Sequence, residues 1–249
     1  FLPILPSPSP AGYRNKMEYS FGDEEKAGPL TLGLHKRGAF HDIVTANHCT
    51  LVHDDFNQIV NSVLSYFHSI GASYCSKRTH EGFLRHLVLR RSEYDGGILV
   101  NLVTTSQGTL DKTAFLRCLQ SLALDGHIAG VLHTVNDSLA DVVQKDAMTV
   151  LYGVDWFTEE LLGLKFKITP FSFFQTNSKG AETLYSVVRQ FAGDIEGQTI
   201  FDLYCGTGTI AQIMAGAGAK RVLGIELVEE AVDAAGENAA LNGLTNCSF

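Results

Sequence analysis

Long apolar runs, paired cysteines and a basic leader are all absent from this sequence of 249 residues. No stretch approaches the roughly 20 uninterrupted apolar residues that a membrane-spanning helix needs. The opening segment, FLPILPSPSPAGYRNK, lacks an initiating Met, and its prolines interrupt any apolar helix, so we expect no signal peptide. These absences predict a cytoplasmic protein with no membrane partner.

The cysteines exclude two further classes of structure. They are odd in number and widely spaced, and no two of them form a C-x-x-C pair. Such spacing is untypical of a disulfide framework and of a self-contained zinc site, so it indicates a reducing compartment. The five are Cys49, Cys75, Cys118, Cys205 and Cys247.

Positive charge is scarce in the second part of the chain. Residues 1–100 carry 10 Lys/Arg and 10 Asp/Glu, whereas residues 101–249 carry 9 and 17, which gives the net charge of −8. An acidic chain is not an obvious nucleic-acid binder, because phosphate groups attract clustered Lys and Arg. Local clusters do occur early in the chain, and for each one taken singly a solvated surface is the simpler interpretation. They are YRNK (13–16), HKR (35–37), SKR (76–78) and LRHLVLRR (84–91).

The patterns over residues 1–167 mix short strands with helices and predict a complete α+β domain. Apolar residues at helical spacing predict a helix over DDFNQIVNSVLSYFHSI, and TLDKTAFLRCLQSLAL predicts a second helix with Thr109 as its N-cap. The segments FLRHLVLRRS and GILVNLVTTS flank the turn EYDGG, which is typical of a β-hairpin.

Residues 168–249 follow a different pattern. A helix capped by Asn177 or Ser178 precedes strand 199–204, a glycine turn, a helix, strand 221–225 and a helix from about 228 to 240, with CSF able to start a third strand. Strands that alternate with helices indicate the parallel, doubly wound sheet of a Rossmann-like α/β domain. Two strands cannot bury both faces of such a sheet, so we expect this second domain to be truncated.

The glycine turn, Gly206-x-Gly208-x-x-Ala211, predicts a nucleotide-like cofactor. It matches the dinucleotide fingerprint, and Glu226 follows Gly206 by 20 residues, where an acid can accept ribose hydroxyls. Asp202 at the strand end would repel a pyrophosphate but suits an ammonium or sulfonium group. S-adenosylmethionine (SAM) is therefore the favoured cofactor, with NAD or FAD and a cofactor-free fold as the alternatives.

Several consecutive segments resemble one family. PFSFFQTNSKGAETLY, FDLYCGTGTIAQIMA and VLGIELVEEAVDAAGENAALNGLTN resemble motifs of the RNA uracil-C5-methyltransferases, which use SAM to make 5-methyluridine in large-subunit ribosomal RNA or transfer RNA. GYRNKMEYSFG, LGLHKRGAFHDIV, LRHLVLR and VNLVTTS are similar to the RNA-binding domain of the 23S ribosomal RNA branch. The resemblance spans nearly the whole chain and implies a fragment that lacks both ends.

The resemblance implies roles for particular residues. In the family, the glutamine of FFQTN, the aromatic residue of DLYCG and the acid of GIE contact SAM, which implies these roles for Gln175, Tyr204 and Glu226. We also select Gly206, because the backbone is expected to pass closest to the ligand at this residue. We expect Asp202 to orient the turn and not to touch the ligand.

The residues that carry out the chemistry are expected outside this chain. In the family, a Cys thiolate adds to uracil C6, C5 then attacks the SAM methyl group, and a base removes the C5 proton. The family's nucleophile lies in a downstream Ser-Cys-Asn-Pro motif, and its general base lies later still, so neither is in this sequence. Cys205 is interpreted as a small residue in a tight turn, and the chain alone is predicted to be inactive.

Cys49 is the candidate metal ligand. Ribosomal RNA members of the family often bind a [4Fe–4S] cluster through three cysteines before a YRNK-like stretch and a fourth after it, and Cys49 matches the fourth position. A four-iron cluster needs four thiolates, so we expect one only in the full-length protein. A structural cysteine is the alternative.

RNA contacts are assigned to the first domain, where Arg14 and Lys16 lie in YRNK and Arg85 and His86 lie in LRH. Folded RNA is recognised by shape and unpaired bases, which requires few but well-placed cations. The sequence therefore predicts a monomeric enzyme that methylates uridine C5 in ribosomal RNA. A small-molecule SAM-dependent methyltransferase and a non-catalytic RNA-binding module are the two alternatives.

Overall fold

The computed structural model describes residues 3–39, 41–139 and 147–249. The chain divides into two compact units, a larger unit over residues 14–157 and a smaller unit formed by the N-terminal residues up to 13 with residues 158–249. The domain limits predicted above, 1–167 and 168–249, stay a prediction. No helix in the described part of the chain has the length and apolar character needed to cross a membrane.

The larger unit is built on a mixed sheet. Within its described residues, seven strands lie in the order β3-β2-β1-β4-β5-β6-β7. Strands β5 and β6 are parallel and their connection contains helix α2, as a parallel crossover requires, whereas the other neighbours are antiparallel. The predicted hairpin is thus confirmed as β4 and β5. The strands are β1 Lys16–Gly22, β2 Thr31–His35, β3 Ile43–Thr45, β4 Leu84–Arg91, β5 Gly97–Thr104, β6 His127–Val135 and β7 Ala147–Gly153.

Both predicted helices of this unit are present, as α1 (Asp54–Ser69) and α2 (Lys112–Gln120). Helix α1 buries an apolar stripe against the sheet, and its Phe67 ring packs edge-on against Phe21 and tilted against Phe115. The prediction that Thr109 caps α2 is wrong. The N-cap is Asp111, whose Oδ1 accepts a hydrogen bond from the Ala114 backbone at 3.0 Å, and a carboxylate also interacts favourably with the helix N-terminus.

One buried carboxylate joins helix α1 to the sheet. The Asp55 side chain has no solvent exposure, and its Oδ2 lies 3.0 Å from Arg91 Nε. Backbone N–H groups of Asp125 and Gly126 donate to its two oxygens, and His53 Nδ1 lies 3.1 Å away. The side chains of His53, Asp55 and Asp125 are close enough to resemble a cation site. However, both Asp55 oxygens already accept hydrogen bonds from Arg91 or from the backbone. We therefore interpret the cluster as a structural junction between α1 and the sheet.

The smaller unit contains the predicted alternation of strands and helices. A short sheet pairs β8 (Phe157–Leu161) with β9 (Leu164–Ile168), and helix α3 (Ser178–Ala192) follows with Asn177 as its N-cap. In the described residues beyond α3, three parallel strands lie in the order β10-β11-β12 and alternate with helices α4 and α5. The Rossmann-like fold is thus confirmed. These elements are β10 Thr199–Leu203, α4 Thr209–Gly216, β11 Arg221–Ile225, α5 Glu229–Leu241 and β12 Cys247–Ser248.

Helix α5 binds the edge of strand β9 through asparagine side chains. Asn242 Oδ1 accepts from the Lys165 backbone N–H, and its Nδ2 donates to the Lys165 carbonyl, both at 2.8 Å. Asn238 Oδ1 accepts from the Lys167 backbone N–H, also at 2.8 Å. Because an edge strand otherwise leaves backbone groups unpaired, these amides substitute for a neighbouring strand.

Replacing Asp55 by Ala should lower the free energy of unfolding by about 3–5 kcal/mol, because the change removes the buried ion-pair partner of Arg91 and the acceptor of two backbone N–H groups. The control is Asp54→Ala, which removes an exposed acid from the same helix turn and should cost less than about 1 kcal/mol. Urea denaturation followed by circular dichroism measures both. Equal losses for the two variants would contradict the assignment of Asp55 as the junction.

Candidate functional site

The turn between β10 and α4 has an unusual backbone. Gly206 and Gly208 have φ values of +53° and +73°, in the left-handed region that favours glycine. A Cβ added at Gly206 would meet no protein atom within 4 Å. Glycine is therefore favoured at this position by its positive φ and not by a steric clash with the protein. Tyr204 also has a positive φ, +62°, and its side chain is 92% exposed. A strained backbone that presents an exposed aromatic ring is typical of a functional site.

Glu226 closes this turn from the neighbouring strand. Its Oε2 accepts a hydrogen bond from the Gly206 backbone N–H at 2.9 Å. Its Oε1 accepts from the backbone N–H groups of Leu227 and Val228 at 2.8 and 3.0 Å. These three backbone donors lower the pKa of Glu226, with that of Val228 contributing most, so the carboxylate is ionised at neutral pH.

The hydrogen bonds also limit what Glu226 can still accept. A carboxylate offers about four lone-pair sites, two on each oxygen. The Leu227 and Val228 backbones occupy both sites of Oε1, and Gly206 occupies one site of Oε2. In this conformation, therefore, Glu226 can accept one further hydroxyl and not the two that a ribose offers.

Asp202 orients the turn from inside, as the sequence predicts. Its Oδ2 accepts from the Ala211 backbone N–H at 2.9 Å, which satisfies a donor in the first turn of α4. Burial raises the pKa of Asp202, and the Ala211 hydrogen bond opposes that shift. The backbone of Cys205 donates to the Ile225 carbonyl, so the turn is also joined to the end of β11.

Tyr185 connects Gln175 to this region, and sequence reasoning missed it. Tyr185 lies on α3 and is 6% exposed, and its hydroxyl hydrogen bonds to the Gln175 side chain. Burial raises the pKa of Tyr185; the Gln175 hydrogen bond lowers it, and the nearby Asp202 charge raises it. The structure thus links Gln175 to Tyr185, whose pKa responds to the charge of Asp202 on β10. The helical spacing of Tyr185 within ETLYSVV indicates only a core position, so the sequence carried no signal for this role.

Cys205 lacks the properties of a nucleophile. Burial of the thiol, together with the negative charges of Asp202 and Glu226, raises the pKa of Cys205 to about 11. A nucleophilic cysteine needs a lowered pKa and a cationic neighbour. Its Sγ also packs closely against Gly224, where an added Cβ would lie 2.8 Å away. These observations agree with the interpretation of Cys205 as a small residue in a tight turn.

Lys16 is the first residue of β1 and Arg14 precedes it by two residues, but the two cations differ in their electrostatic surroundings. Lys16 Nζ forms an ion pair with Glu18 at 2.7 Å. Arg14 Nε donates to the Lys16 carbonyl at 3.0 Å and lies equally far from Met17 Sδ. None of these Arg14 acceptors is charged. Of the two, Arg14 is the better candidate for a phosphate contact.

Arg85 and His86 are buried at the start of β4, at 9% and 6% exposure. Arg85 Nη1 donates to the carbonyls of Asn136 and Ser138 at 2.8 and 2.7 Å, and the His86 ring lies 3.3 Å from Ser20 Oγ. Both side chains line a cavity of about 260 Å³ whose other walls include Lys77, His80 and Gln107. The sequence patterns indicate Lys77 only as part of the basic cluster SKR, and they give no reason to select His80 or Gln107.

Cys49 is half-buried beside the core of the larger unit. Its backbone N–H donates to Asn57 Oδ1, and Asn57 Nδ2 donates to its carbonyl. Within the described residues, it belongs to no group of three or more side chains placed to hold a metal ion. Its role as a cluster ligand stays a prediction.

Alkylation should show how weakly Cys205 reacts. With a pKa near 11, its thiolate is scarce at pH 8, so iodoacetamide should modify folded Cys205 roughly a hundredfold more slowly than the same thiol in urea. Asp202→Asn removes one of the two repelling charges and should raise the rate in the folded protein. Peptide mass spectrometry measures the site, and equally fast modification of folded and unfolded Cys205 would contradict the assignment.

Comparisons with known proteins show which proteins this chain is similar to. Residues 195–249 match a family described as "Methyltransferase domain". A protein of Clostridium tetani named "Uncharacterized RNA methyltransferase" is 53% identical over 249 residues, covering 100% of this chain and 54% of that protein. A protein of Bacteroides thetaiotaomicron with the same name is 35% identical over 260 residues, covering 99% of this chain and 57% of that protein.

One solved structure is similar to this chain over nearly its whole length. The tRNA (uracil-54, C5)-methyltransferase of Pyrococcus abyssi, in complex with S-adenosyl-L-homocysteine, superimposes with a TM-score of 0.80 and is 26% identical. The match covers 98% of this chain and 57% of that chain. The chain is therefore similar over essentially all of its length to proteins named as RNA methyltransferases, and it spans about half the length of those relatives.

Proposed function

We propose that this chain forms the RNA-binding part and the first part of the SAM-binding domain of an enzyme that methylates C5 of uridine in RNA. The observation that carries the proposal is the turn at Gly206, which the ionised Glu226 holds beside the exposed ring of Tyr204. Similarity to RNA methyltransferases over the whole chain supports RNA as the substrate.

The side chains at this turn fit SAM. Asp202 and Glu226 bring two carboxyl groups to the carboxyl ends of neighbouring parallel strands, which is where ligands bind in open α/β sheets. Their charges favour a ligand with an ammonium and a sulfonium group and oppose the pyrophosphate of NAD or FAD. A small-molecule methyltransferase would share this site, but the similarity over residues 14–157 to RNA methyltransferases favours the RNA enzyme.

Each residue of the site has a proposed task. Glu226 accepts a ribose hydroxyl on Oε2, Gly206 brings the backbone close to the ligand, and Tyr204 covers one side of it. Gln175, in the loop before α3, is hydrogen-bonded to Tyr185 and contacts the ligand from that loop. SAM, when bound, supplies an electrophilic methyl group. Cys205 takes no part, and we propose that the nucleophile and the base lie in sequence beyond this chain.

The proposed RNA is 23S ribosomal RNA, from the resemblance of the first domain. Transfer RNA is the second candidate, because the solved relative from Pyrococcus abyssi is named as a tRNA methyltransferase. In both cases Arg14, Lys16, Arg85 and His86 are the proposed RNA-binding residues. The proposed [4Fe–4S] cluster, with Cys49 as one ligand, would need three further cysteines from outside this chain.

Tritium release from RNA tests the reaction at C5. The full-length protein with SAM should release tritium from ribosomal RNA that contains [5-³H]uridine, because methylation replaces the C5 hydrogen. The 249-residue chain, which serves as the control, should release none. Release from transfer RNA alone would overturn the ribosomal assignment, and release from neither RNA would overturn methylation at C5.

Removal of the Glu226 carboxylate tests the cofactor site. Glu226→Ala in the full-length protein should weaken S-adenosylhomocysteine binding about tenfold to a hundredfold, since a charge-assisted hydrogen bond to ribose is lost. The matched control is Glu230→Ala, which removes the same charge from an exposed position on α5 and should change affinity little. Calorimetric titration measures both variants.

A ribose analogue separates this contact from a general effect of charge. The wild type should bind the 2′-deoxy or the 3′-deoxy analogue of S-adenosylhomocysteine more weakly, since one hydroxyl meets Glu226 Oε2. Glu226→Ala should not discriminate between that analogue and the parent compound. If the variant discriminates as strongly as the wild type, the ribose is bound elsewhere.

A further inference from the structure

One face of the sheet β10-β11-β12 in the smaller unit exposes large apolar side chains. Side chains alternate between the two faces of a sheet, and the register pairs Phe201 with Leu223 and Leu203 with Ile225. These four residues therefore lie on the same face, which we call the outer face. Phe201, Leu203 and Ile225 are 60%, 61% and 53% exposed, so nothing in the described part of the chain covers them.

The opposite face of the same sheet is covered by helices. Ile200 and Val222 pack in the apolar cluster that contains Ala211 of α4. Helix α5 lies beside α4, where Gln212 Nε2 donates to the Ala235 carbonyl at 3.4 Å. Parallel sheets in α/β proteins are covered by helices on both faces. Over the described residues, this sheet has its helices on one face, so half of its cover is missing.

Strand β10 also has a free edge. It lies at the end of the strand order, and its neighbour on the other side is β11, in parallel register from Thr199 and Arg221 to Leu203 and Ile225. No strand among the described residues pairs with the remaining edge. Backbone N–H and C=O groups at such an edge can pair with an added strand. The apolar outer face and the free edge meet along β10.

The hand of the crossovers decides which face an added segment covers. Connections between parallel strands of one sheet are right-handed in nearly all proteins. From β10 to β11 and from β11 to β12, this hand places α4 and α5 on the covered face. A chain that returns from β12 to the free edge of β10 crosses the sheet in the opposite direction. The same hand then places its helix on the outer face.

We propose that the outer face and the free edge of β10 bind a segment of the full-length protein that follows residue 249. The segment supplies a strand parallel to β10 and a helix that covers Phe201, Leu203, Leu223 and Ile225. The chain spans about half the length of its relatives, so their length leaves room for such a segment. The identity of the segment as the rest of a SAM-binding domain rests on the proposed function.

The chemistry of the outer face selects against other occupants. Its four side chains carry no charge, whereas binding to the phosphates of RNA depends on Lys and Arg. A second copy of the chain would stack its own outer face on this one, but it would leave the edge of β10 unpaired. A returning strand and helix cover the face and pair the edge at the same time.

The docked segment also completes the proposed cofactor site. In open α/β sheets, ligands bind at the carboxyl ends of the strands, where the strand order reverses. A strand added beside β10 makes the end of β10 such a point. Tyr204 follows this end and is 92% exposed, so the segment forms the second wall of the crevice next to its ring.

The accessibility of introduced thiols in the full-length protein tests the docking. Leu203→Cys should react with N-ethylmaleimide at least roughly a hundredfold more slowly in the folded protein than in urea, because a buried thiol reacts only after local opening. Ile70→Cys is the matched control, since Ile70 at the C-cap of α1 is 57% exposed and Leu203 is 61% exposed. It should react almost as fast folded as unfolded. Peptide mass spectrometry distinguishes both sites from the native cysteines, and equal protection factors for the two variants would overturn the proposal.

Photo-cross-linking identifies the occupant. Benzoylphenylalanine in place of Phe201 or of Tyr204 should cross-link to peptides from beyond residue 249 of the same molecule, at a yield independent of protein concentration and of added RNA. A mixture of isotope-labelled and unlabelled protein separates cross-links within one molecule from those between two. Cross-links between molecules would indicate a second copy, and cross-links to RNA would indicate an RNA surface. Both results would overturn the proposal.

The tritium release assay separates this inference from the proposed function. If the wild type releases tritium but the thiol of Leu203→Cys reacts as fast as that of Ile70→Cys, the docking proposal is wrong and the reaction stands. If position 203 is protected and cross-links reach the following segment, but no RNA releases tritium, the docking stands and methylation at C5 is wrong.

Discussion

The hydrogen bond from the Gly206 backbone to Glu226 is the contact on which the candidate cofactor site depends. It joins the turn after β10 to the end of β11, so the parallel pairing of these strands fixes the positions of both residues. Asp202 provides the second restraint by binding the first turn of α4. The turn is therefore organised before any ligand arrives, and its positive φ angles are tolerated because two carboxylates accept hydrogen bonds from the backbone of the turn and of the helix that follows it.

The two carboxylates perform different tasks although they lie on neighbouring strands. Three backbone donors stabilise the ionised form of Glu226, so its pKa is lowered, whereas burial raises the pKa of Asp202. Glu226 keeps one acceptor site on Oε2 for the proposed ligand, whereas Asp202 accepts a hydrogen bond from the backbone of α4. Cys205 lies between them, and their negative charges raise its pKa, so a thiolate is suppressed at the place where the turn meets the proposed cofactor.

The fold was largely predictable from sequence because apolar spacing identifies elements whose faces are buried. The hairpin β4–β5, helix α1 and the Rossmann-like alternation all follow from such patterns. Strand β8 was missed because Glu159 takes a buried position in it, where it accepts a hydrogen bond from Ser178 Oγ at 2.9 Å. The cap of α2 was misplaced because Thr109 and Asp111 are both competent caps, and only the backbone geometry selects between them.

The candidate sites were less predictable, because their parts are distant in sequence. The glycine turn and Glu226 belong to one recognisable motif, but Tyr185 reaches Gln175 only through the folding of α3. The cavity of the larger unit is more extreme, since it brings residues 77, 85, 107 and 137 together across the sheet. No local sequence pattern predicts that these distant residues lie around one cavity.

The asparagine contacts between α5 and β9 have a consequence for the behaviour of the protein in solution. An unpaired edge strand is a template on which a second chain can add a strand, and such addition begins aggregation. Asn238 and Asn242 occupy the Lys165 and Lys167 backbone groups that a foreign strand would need. The amide side chains of Asn238 on α5 and of Asn242, the C-cap residue of that helix, thus keep this edge from pairing with a second chain.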